Sequence, residues 1–206
     1  MESGLLVVEQ TYAPVIDSAM TGDADGILGV AGLRNARIIV DFRRDKVSIT
    51  RARPRDDGSG GYLVIDAGRM PDGVLAVDAT VRGVRARAII DTGAERTLGN
   101  LALREALRAK RRDRGAPRST DVFGATPEVY QGESVYAPVI RLGEVSVSGA
   151  DIIYGDFPIF KAWDLDQRPA MLIGMDILGT ADMLVIDFSR MQVRVRMNNG
   201  PYVRVN

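Results

Sequence analysis

Two stretches of this chain repeat one another, and the repeat limits the fold more than any other feature. Residues 26–49 read GILGVAGLRNARIIVDFRRDKVSI and residues 171–195 read MLIGMDILGTADMLVIDFSRMQVRV. Each has two aliphatic residues and a glycine, then a leucine, then an aliphatic pair ahead of Asp-Phe, then a strand-like run. Gly29 and Gly174 stand 145 positions apart, and Asp41 and Asp187 stand 146 apart, so one single-residue insertion brings the copies into register. Two similar units imply a body with two-fold or pseudo-two-fold symmetry. The copies differ in what precedes them. Only 28 residues precede Gly29, whereas more than a hundred separate Gly174 from the linker near residue 60. The first copy therefore reads as the C-terminal half of a unit whose beginning is absent.

The rest of the chain reads as short Val- and Ile-rich strands punctuated by Gly, Asp and Pro. Candidates are Ala36–Phe42, Lys46–Thr50, Tyr62–Asp66, Val74–Val81, Ala86–Ile90, Val135–Leu142, Val145–Val147, Met183–Phe188 and Gln192–Arg196. Frequent short strands point to an all-β body, closed or sandwiched. One segment, Leu101–Arg112, is built from good helix formers. Leu103 and Leu107 share a helical face there, Asn100 can cap the start, and Gly115 and Pro117 follow the end. The stretch RARPRDDGSGG at 51–61 is the best linker, and 111–120 is a second flexible stretch.

Composition narrows the chemistry. The chain of 206 residues has 27 basic and 27 acidic side chains, no Cys and no His. Disulfides, thiol nucleophiles, cysteine zinc sites and Ser–His–Asp chemistry are excluded. An enzyme of this composition works with carboxylates, hydroxyls, Lys, Arg or backbone groups. Formal neutrality argues against a globally basic nucleic-acid binder. The cluster Arg104, Arg108, Lys110, Arg111, Arg112 and Arg114 reads as a solvated helix face, since Arg makes up 24 of the 27 cations and no aromatics interleave it. No apolar run is long enough to span a membrane, and the start Met1-Glu2-Ser3-Gly4 is acidic where a signal peptide is basic.

One segment carries chemistry. Residues 86–98 read ARAIIDTGAERTL. A hydrophobic strand runs into Asp91, and small residues and a tight turn follow. Gly93 lets the backbone bend and approach a partner closely, and Thr92 offers a compact hydroxyl. Asp-Thr-Gly alone arises by chance in roughly one chain in twenty of this length. Its place between a strand and a helix, about 80 residues ahead of Leu172-Ile173-Gly174, makes it specific. The bland alternative is a turn aspartate that caps the helix at 101. Asp41 and Asp187 read as turn residues, and Asp176 as a helix-start aspartate. Phe157, Phe160 and Trp163 fit either a substrate pocket or core packing.

Asp91-Thr92-Gly93-Ala94 with the later Leu172-Ile173-Gly174 resembles the retropepsin-like aspartic proteases, most closely bacterial members with A-I-I-D-T-G-A. The resemblance covers roughly residues 62–197. It implies an all-β acid-protease lobe, a closed β-barrel with one short helix, at 62–206. A linker at 53–61 would join it to a partial lobe at 1–52, of which only the C-terminal half is present. It implies Asp91 as the catalytic aspartate, Thr92 in a hydrogen-bond lattice between two lobes, and Gly93 orienting the carboxylate. Leu172, Ile173 and Gly174 would form the strand crossing behind this loop. A flap at Asp121–Pro138, with Val122, Phe123, Gly124 and Ala125, would close with Ala94 over an extended peptide. No metal or cofactor is implied. Bacterial relatives are often exported, although this chain shows no export signal.

The chain holds a single Asp-Thr/Ser-Gly, since Asp17-Ser18-Ala19 lacks the glycine. A carboxylate dyad then needs a second lobe, supplied either by a missing N-terminal segment or by a second chain in a homodimer. A different class of function also stands: an acid-protease-like lobe that binds peptide or dimerises without catalysis.

Overall fold

A computed structural model describes residues 2–3, 6–7, 26–51, 60–110, 116–124, 128–137, 139–197 and 202–205. Two short strands, β1 (Glu2–Ser3) and β2 (Leu6–Val7), precede a 3-10 turn at Val30–Leu33, then β3 (Ala36–Asp41) and β4 (Lys46–Arg51). The main body runs through β5 (Leu63–Asp66), β6 (Gly68–Arg69), β7 (Leu75–Val81), β8 (Val84–Ile90), β9 (Leu98–Gly99) and α1 (Leu101–Ala109). It continues with β10 (Arg118–Phe123), β11 (Val129–Ala137), β12 (Ile140–Leu142), β13 (Val145–Ser148), β14 (Ala150–Tyr154) and α2 (Pro158–Ala162). The chain closes with β15 (Ala170–Ile173), α3 (Met175–Leu178), β16 (Met183–Asp187), β17 (Gln192–Arg196) and β18 (Tyr202–Arg204).

The described residues are mostly β, as expected, with three α-helices among them where one was expected. The other two, α2 and α3, are only five and four residues long, too short to leave a period in the sequence, and only the start of α3 is marked there, by Asp176. Helix α1 begins where Asn100 predicts, with the Asn100 side chain accepting from Leu103 N at 2.8 Å. It ends at Ala109 rather than Arg112. The expected strand Val135–Leu142 is two strands. Pro138, which has no N–H to donate, lies between them in sequence, and the halves pair on different parts of the sheet: β11 with β10 and β14, β12 with β7 and β13. Part of the linker, 52–59, lies outside the described residues.

Most strands form one curled sheet, a half-barrel in the order β10-β11-β14-β9-β15-β8-β7-β12-β13-β18. Tight turns set its registers. The β7–β8 hairpin turns on Arg82 and Gly83, both at positive φ, as a two-residue turn of the primed type requires. Alternating side chains of β8 and β15 divide the interior. Ala88, Ile90, Met171 and Ile173 face the large core, while Ile89 and Leu172 face a smaller cluster with Phe157 and Phe160. The two phenylalanines are thus core residues, and Trp163 packs at the edge of their cluster.

The two copies of the repeat meet in a second sheet, β4-β3-β16-β17-β5. Strands β3 and β16 pair antiparallel with Ile39 opposite Val185, and these two residues stand 146 positions apart. A residue facing its own repeat counterpart across an antiparallel pair marks the two-fold axis. The symmetry extends to the turns. Asp41 accepts from Arg44 N and Asp187 from Arg190 N, and Asp45 and Met191, 146 apart, both have positive φ. Asp41 and Asp187 are turn residues, as read from the sequence.

Asp187 is fully buried and takes Nε and Nη2 of Arg37 at 3.0 and 2.9 Å. Burial works to raise its pKa, but the Arg190 amide, Arg37 and the Ser189 hydroxyl outweigh it and hold the carboxyl below the ordinary value. A lowered folded pKa contributes stability that is present above the unfolded carboxylate value, near about 4, and is lost as pH falls below it. Arg37→Ala should therefore destabilise the protein by about 3–5 kcal/mol at neutral pH, because it strands a buried charge. Urea denaturation of both proteins from neutral pH to below about pH 4 checks this, and the gap between them should narrow in acid.

Candidate active site

Asp91 follows directly on β8. Its amide donates to Ile173 O at 3.1 Å, and its Oδ1 accepts from Gly93 N at 2.9 Å. The carboxylate is thus turned back over its own loop; Asp91 as a residue is half-buried, with Thr92 and Gly93 exposed at the crest. The loop owes its shape to an unusual threading. Strand β15 lies between β8 and β9, parallel to the first and antiparallel to the second. Residues 91–97 therefore have to cross over the end of β15 to connect the strands on either side of it.

A set of hydrogen bonds clamps that crossing. Met175 N donates to Ala94 O at 2.8 Å and Asp176 N to Glu95 O at 3.0 Å. The Asp176 carboxylate accepts from Thr97 N at 3.0 Å and from Thr97 Oγ1 at 2.7 Å, while Thr97 Oγ1 accepts from Gly174 N at 3.1 Å. Gly174 is required by proximity, since a Cβ there would lie 2.6 Å from backbone atoms of Arg96. Asn100 fixes the next turn. Its Oδ1 accepts from Leu103 N and Ala170 N, and its Nδ2 donates to Leu165 O and Arg168 O.

The structure thus brings Asp91, Thr92, Gly93 and Ala94 together with Leu172, Ile173 and Gly174. The expected flap region is an antiparallel hairpin, β10–β11, in register from Arg118↔Ser134 to Phe123↔Val129. Phe123 is exposed and Gly124 half-buried near its tip. Ala125 and Pro138 lie outside the described residues. Val122 and Tyr130 of the hairpin pack against the same small cluster as Ala94 and Leu98, which places hairpin and Asp91 loop over one apolar floor. Thr97 was not singled out in the sequence, although it stands in the same ARAIIDTGAERTL run. Asp176 lies in the first turn of α3, as expected, but its carboxylate serves Thr97. Arg104 also departs from expectation. It is buried, bound to Glu133 at 2.9 Å and stacked on Tyr154, because it falls on the inner face of α1 beside Leu103 and Leu107.

Residues 77–177 match the sequence profile of a family described as Aspartyl protease. Over these residues the chain is similar to the aspartyl proteases. Its match spans the Asp91 loop, the hairpin and β15. Among solved structures, the chain is similar to a retropepsin-like aspartic protease from Rickettsia conorii, at 17% identity, over 66% of this chain and 91% of that one, with a TM-score of 0.46. No curated protein sequence matches the chain. Among the described residues no helix is long and apolar enough to cross a membrane, and no group of three or more acidic side chains is placed to hold a metal ion.

The clamp and the repeat together provide an internal control. Gly174→Ala should destabilise the chain by about 1–3 kcal/mol, the usual scale for overpacking. Gly29→Ala, at the matching position with nothing within 4 Å of its added carbon, should stay within about 0.5 kcal/mol of the parent. Thermal denaturation of the two variants side by side is the check.

Proposed function

We propose that the chain supplies one half of an aspartic endopeptidase, with Asp91 as one of two carboxylates that share a proton. The observation that carries this reading is the position of Asp91. Its carboxylate is held by the amide of Gly93 on a loop fastened at both ends to β15 and α3, so its position is set before substrate arrives. Two carboxylates a few ångströms apart resist joint ionisation and retain one proton between them. The ionised member is the general base that takes a proton from the attacking water. The protonated member donates to the scissile carbonyl oxygen. The pair titrates as a unit.

The chemistry needs no histidine, thiol or cofactor, in keeping with the composition. In this reading Thr92 and Gly93 support the carboxylate, and Ala94, Phe123, Gly124 and Ala125 contact an extended peptide lying between the loop and the hairpin. Such a peptide gains affinity from main-chain pairing. Leu172, Ile173 and Gly174 hold the loop from behind.

The second carboxylate comes from another half with its own Asp-Thr/Ser-Gly, because this chain contains one such motif. That same fact supports a second reading, a peptide-binding lobe without catalysis. Hydrolysis of a mixed peptide library between about pH 3 and 7 separates the two. In an assembly carrying both halves, Asp91→Asn should reduce cleavage by at least about 100-fold. Cleavage that is indifferent to Asp91→Asn would remove the aspartic-protease reading.

A further inference from the structure

Trp163 is the one tryptophan of the chain, and neither the carboxylate chemistry nor the loop clamp uses it. Its position is fixed from three sides. Its backbone ends α2, where Asp164 takes a left-handed conformation at φ 56° and Leu165 N donates back to Phe160 O at 2.8 Å. Its ring packs against the small cluster that holds Phe160 and Leu165. Its indole Nε1 donates to Asp72 Oδ2 at 2.7 Å. Asp72 is fixed in turn. It lies between β6 and β7, where Met70 N donates to Val74 O at 2.9 Å and Asp72 Oδ1 accepts from Val74 N at 3.3 Å. An indole N–H lies in the ring plane, so this bond holds the ring by its edge and leaves its π-face available. Trp163 is half-buried and Asp72 exposed.

Met70, Val74, Ala94, Val122, Tyr130 and Trp163 are all partly buried on one apolar floor. A peptide that touches Ala94 and the hairpin therefore lies over a floor that Trp163, Met70 and Val74 also border. The charge at that border is unbalanced. Among the described residues no cation pairs with Asp72, nor with Glu95 on the Asp91 loop. The cations of β6, the Asp91 loop and α2 are turned elsewhere: Arg69 to the carbonyls of Arg34 and Phe188, Arg96 to Asp176 at 3.8 Å, and Lys161 to Asp156 at 2.8 Å. We propose that Trp163 and Asp72 form a subsite for a basic side chain, Arg or Lys, of an extended peptide. The alkyl stem lies along Met70 and Val74, and the cation sits over the indole face within reach of the Asp72 carboxylate. The subsite names the substrate class, and it rests on the reading above for the course of the peptide. An apolar side chain would fit the floor but would cover the Asp72 carboxylate without pairing it, which is unfavourable. An acidic side chain would be repelled by Asp72 and Glu95.

Because Trp163 is the only tryptophan, its emission reports occupancy of the subsite directly. The test titrates the full 206-residue chain with blocked octapeptides of alanine and valine that carry one Arg, Leu or Glu at successive positions. At one position the Arg peptide should change Trp163 emission and bind at least about tenfold more tightly than its Leu and Glu counterparts, the combined scale of a cation–π contact and an ion pair. Asp72→Asn keeps an acceptor for the indole and should bring the Arg and Leu peptides level. Raising the salt to about 1 M, where charges are screened within about 3 Å, should narrow the same gap in the unaltered chain, so the charge is tested even if the variant does not fold. A Leu peptide that binds as tightly as the Arg peptide overturns the proposal while peptide binding itself stands. An Arg preference indifferent to Asp72→Asn or to salt overturns it as well. Binding that leaves the emission unchanged at every position places the peptide elsewhere and also overturns it. Failure of every peptide to bind overturns the proposal together with the peptide path it rests on. Peptide hydrolysis reports separately. In an assembly carrying both halves, an Arg preference without cleavage leaves the subsite standing and removes the protease reading.

Discussion

The antiparallel pairing of β3 with β16 is the constraint on which the rest of the molecule depends. It joins the two copies of the repeat back to back, with Ile39 facing its own counterpart Val185. One side of the resulting sheet closes the half-barrel core through Leu184, Ile186, Val193 and Val195. On β16, the buried Asp187 accepts a two-pronged ion pair from Arg37 of β3. Buried ion pairs contribute little net stability against an apolar alternative, but breaking one is costly. Arg37–Asp187 therefore acts mainly on pairing. A slip of β3 by one residue would turn Arg37 to the opposite face and leave Asp187 unpaired.

From that sheet the order passes to the site. Strand β16 follows α3, α3 follows β15, and β15 passes between the strands that flank Asp91. The Asp91 loop is short and exposed at its crest, yet its carbonyls at 94 and 95 and the Thr97 side chain are all engaged by α3 and Gly174. Rigid positioning of a carboxylate on a loop is then a result of threading, which local propensity does not supply. The apolar floor of Ile89, Leu172 and Phe160 completes the support from below.

Much of this was legible in the residues. The repeat announced a two-fold, and the structure places its axis at a residue pair separated by the repeat offset. ARAIIDTGA together with Leu172-Ile173-Gly174 singled out the loop and the strand behind it, because a carboxylate at a strand end beside small residues is rare by composition. Asn100 marked the start of α1 through its capping chemistry. What escaped was set by tertiary contact. Strand β9 is two residues long and exists because β14 and β15 flank it. Thr97 carries no local signal for its bond to Asp176, 79 residues away. Arg104 looked like one more solvated cation until the helix face was known, since Glu133 and Tyr154 reach it only from the sheet.

The central claim is that the two-fold lies within one chain. The absence of native cysteine allows a direct measurement: Ile39→Cys and Val185→Cys introduced together, oxidised at low protein concentration and run on a non-reducing gel. Residues directly opposite on antiparallel strands lie about 4.5–5.5 Å apart at Cα, within disulfide range. The expected product is a cross-linked monomer that returns to the parent mobility on reduction. A disulfide-linked dimer in its place would mean that β3 pairs with β16 of another molecule, and the two-fold would then belong to a homodimer.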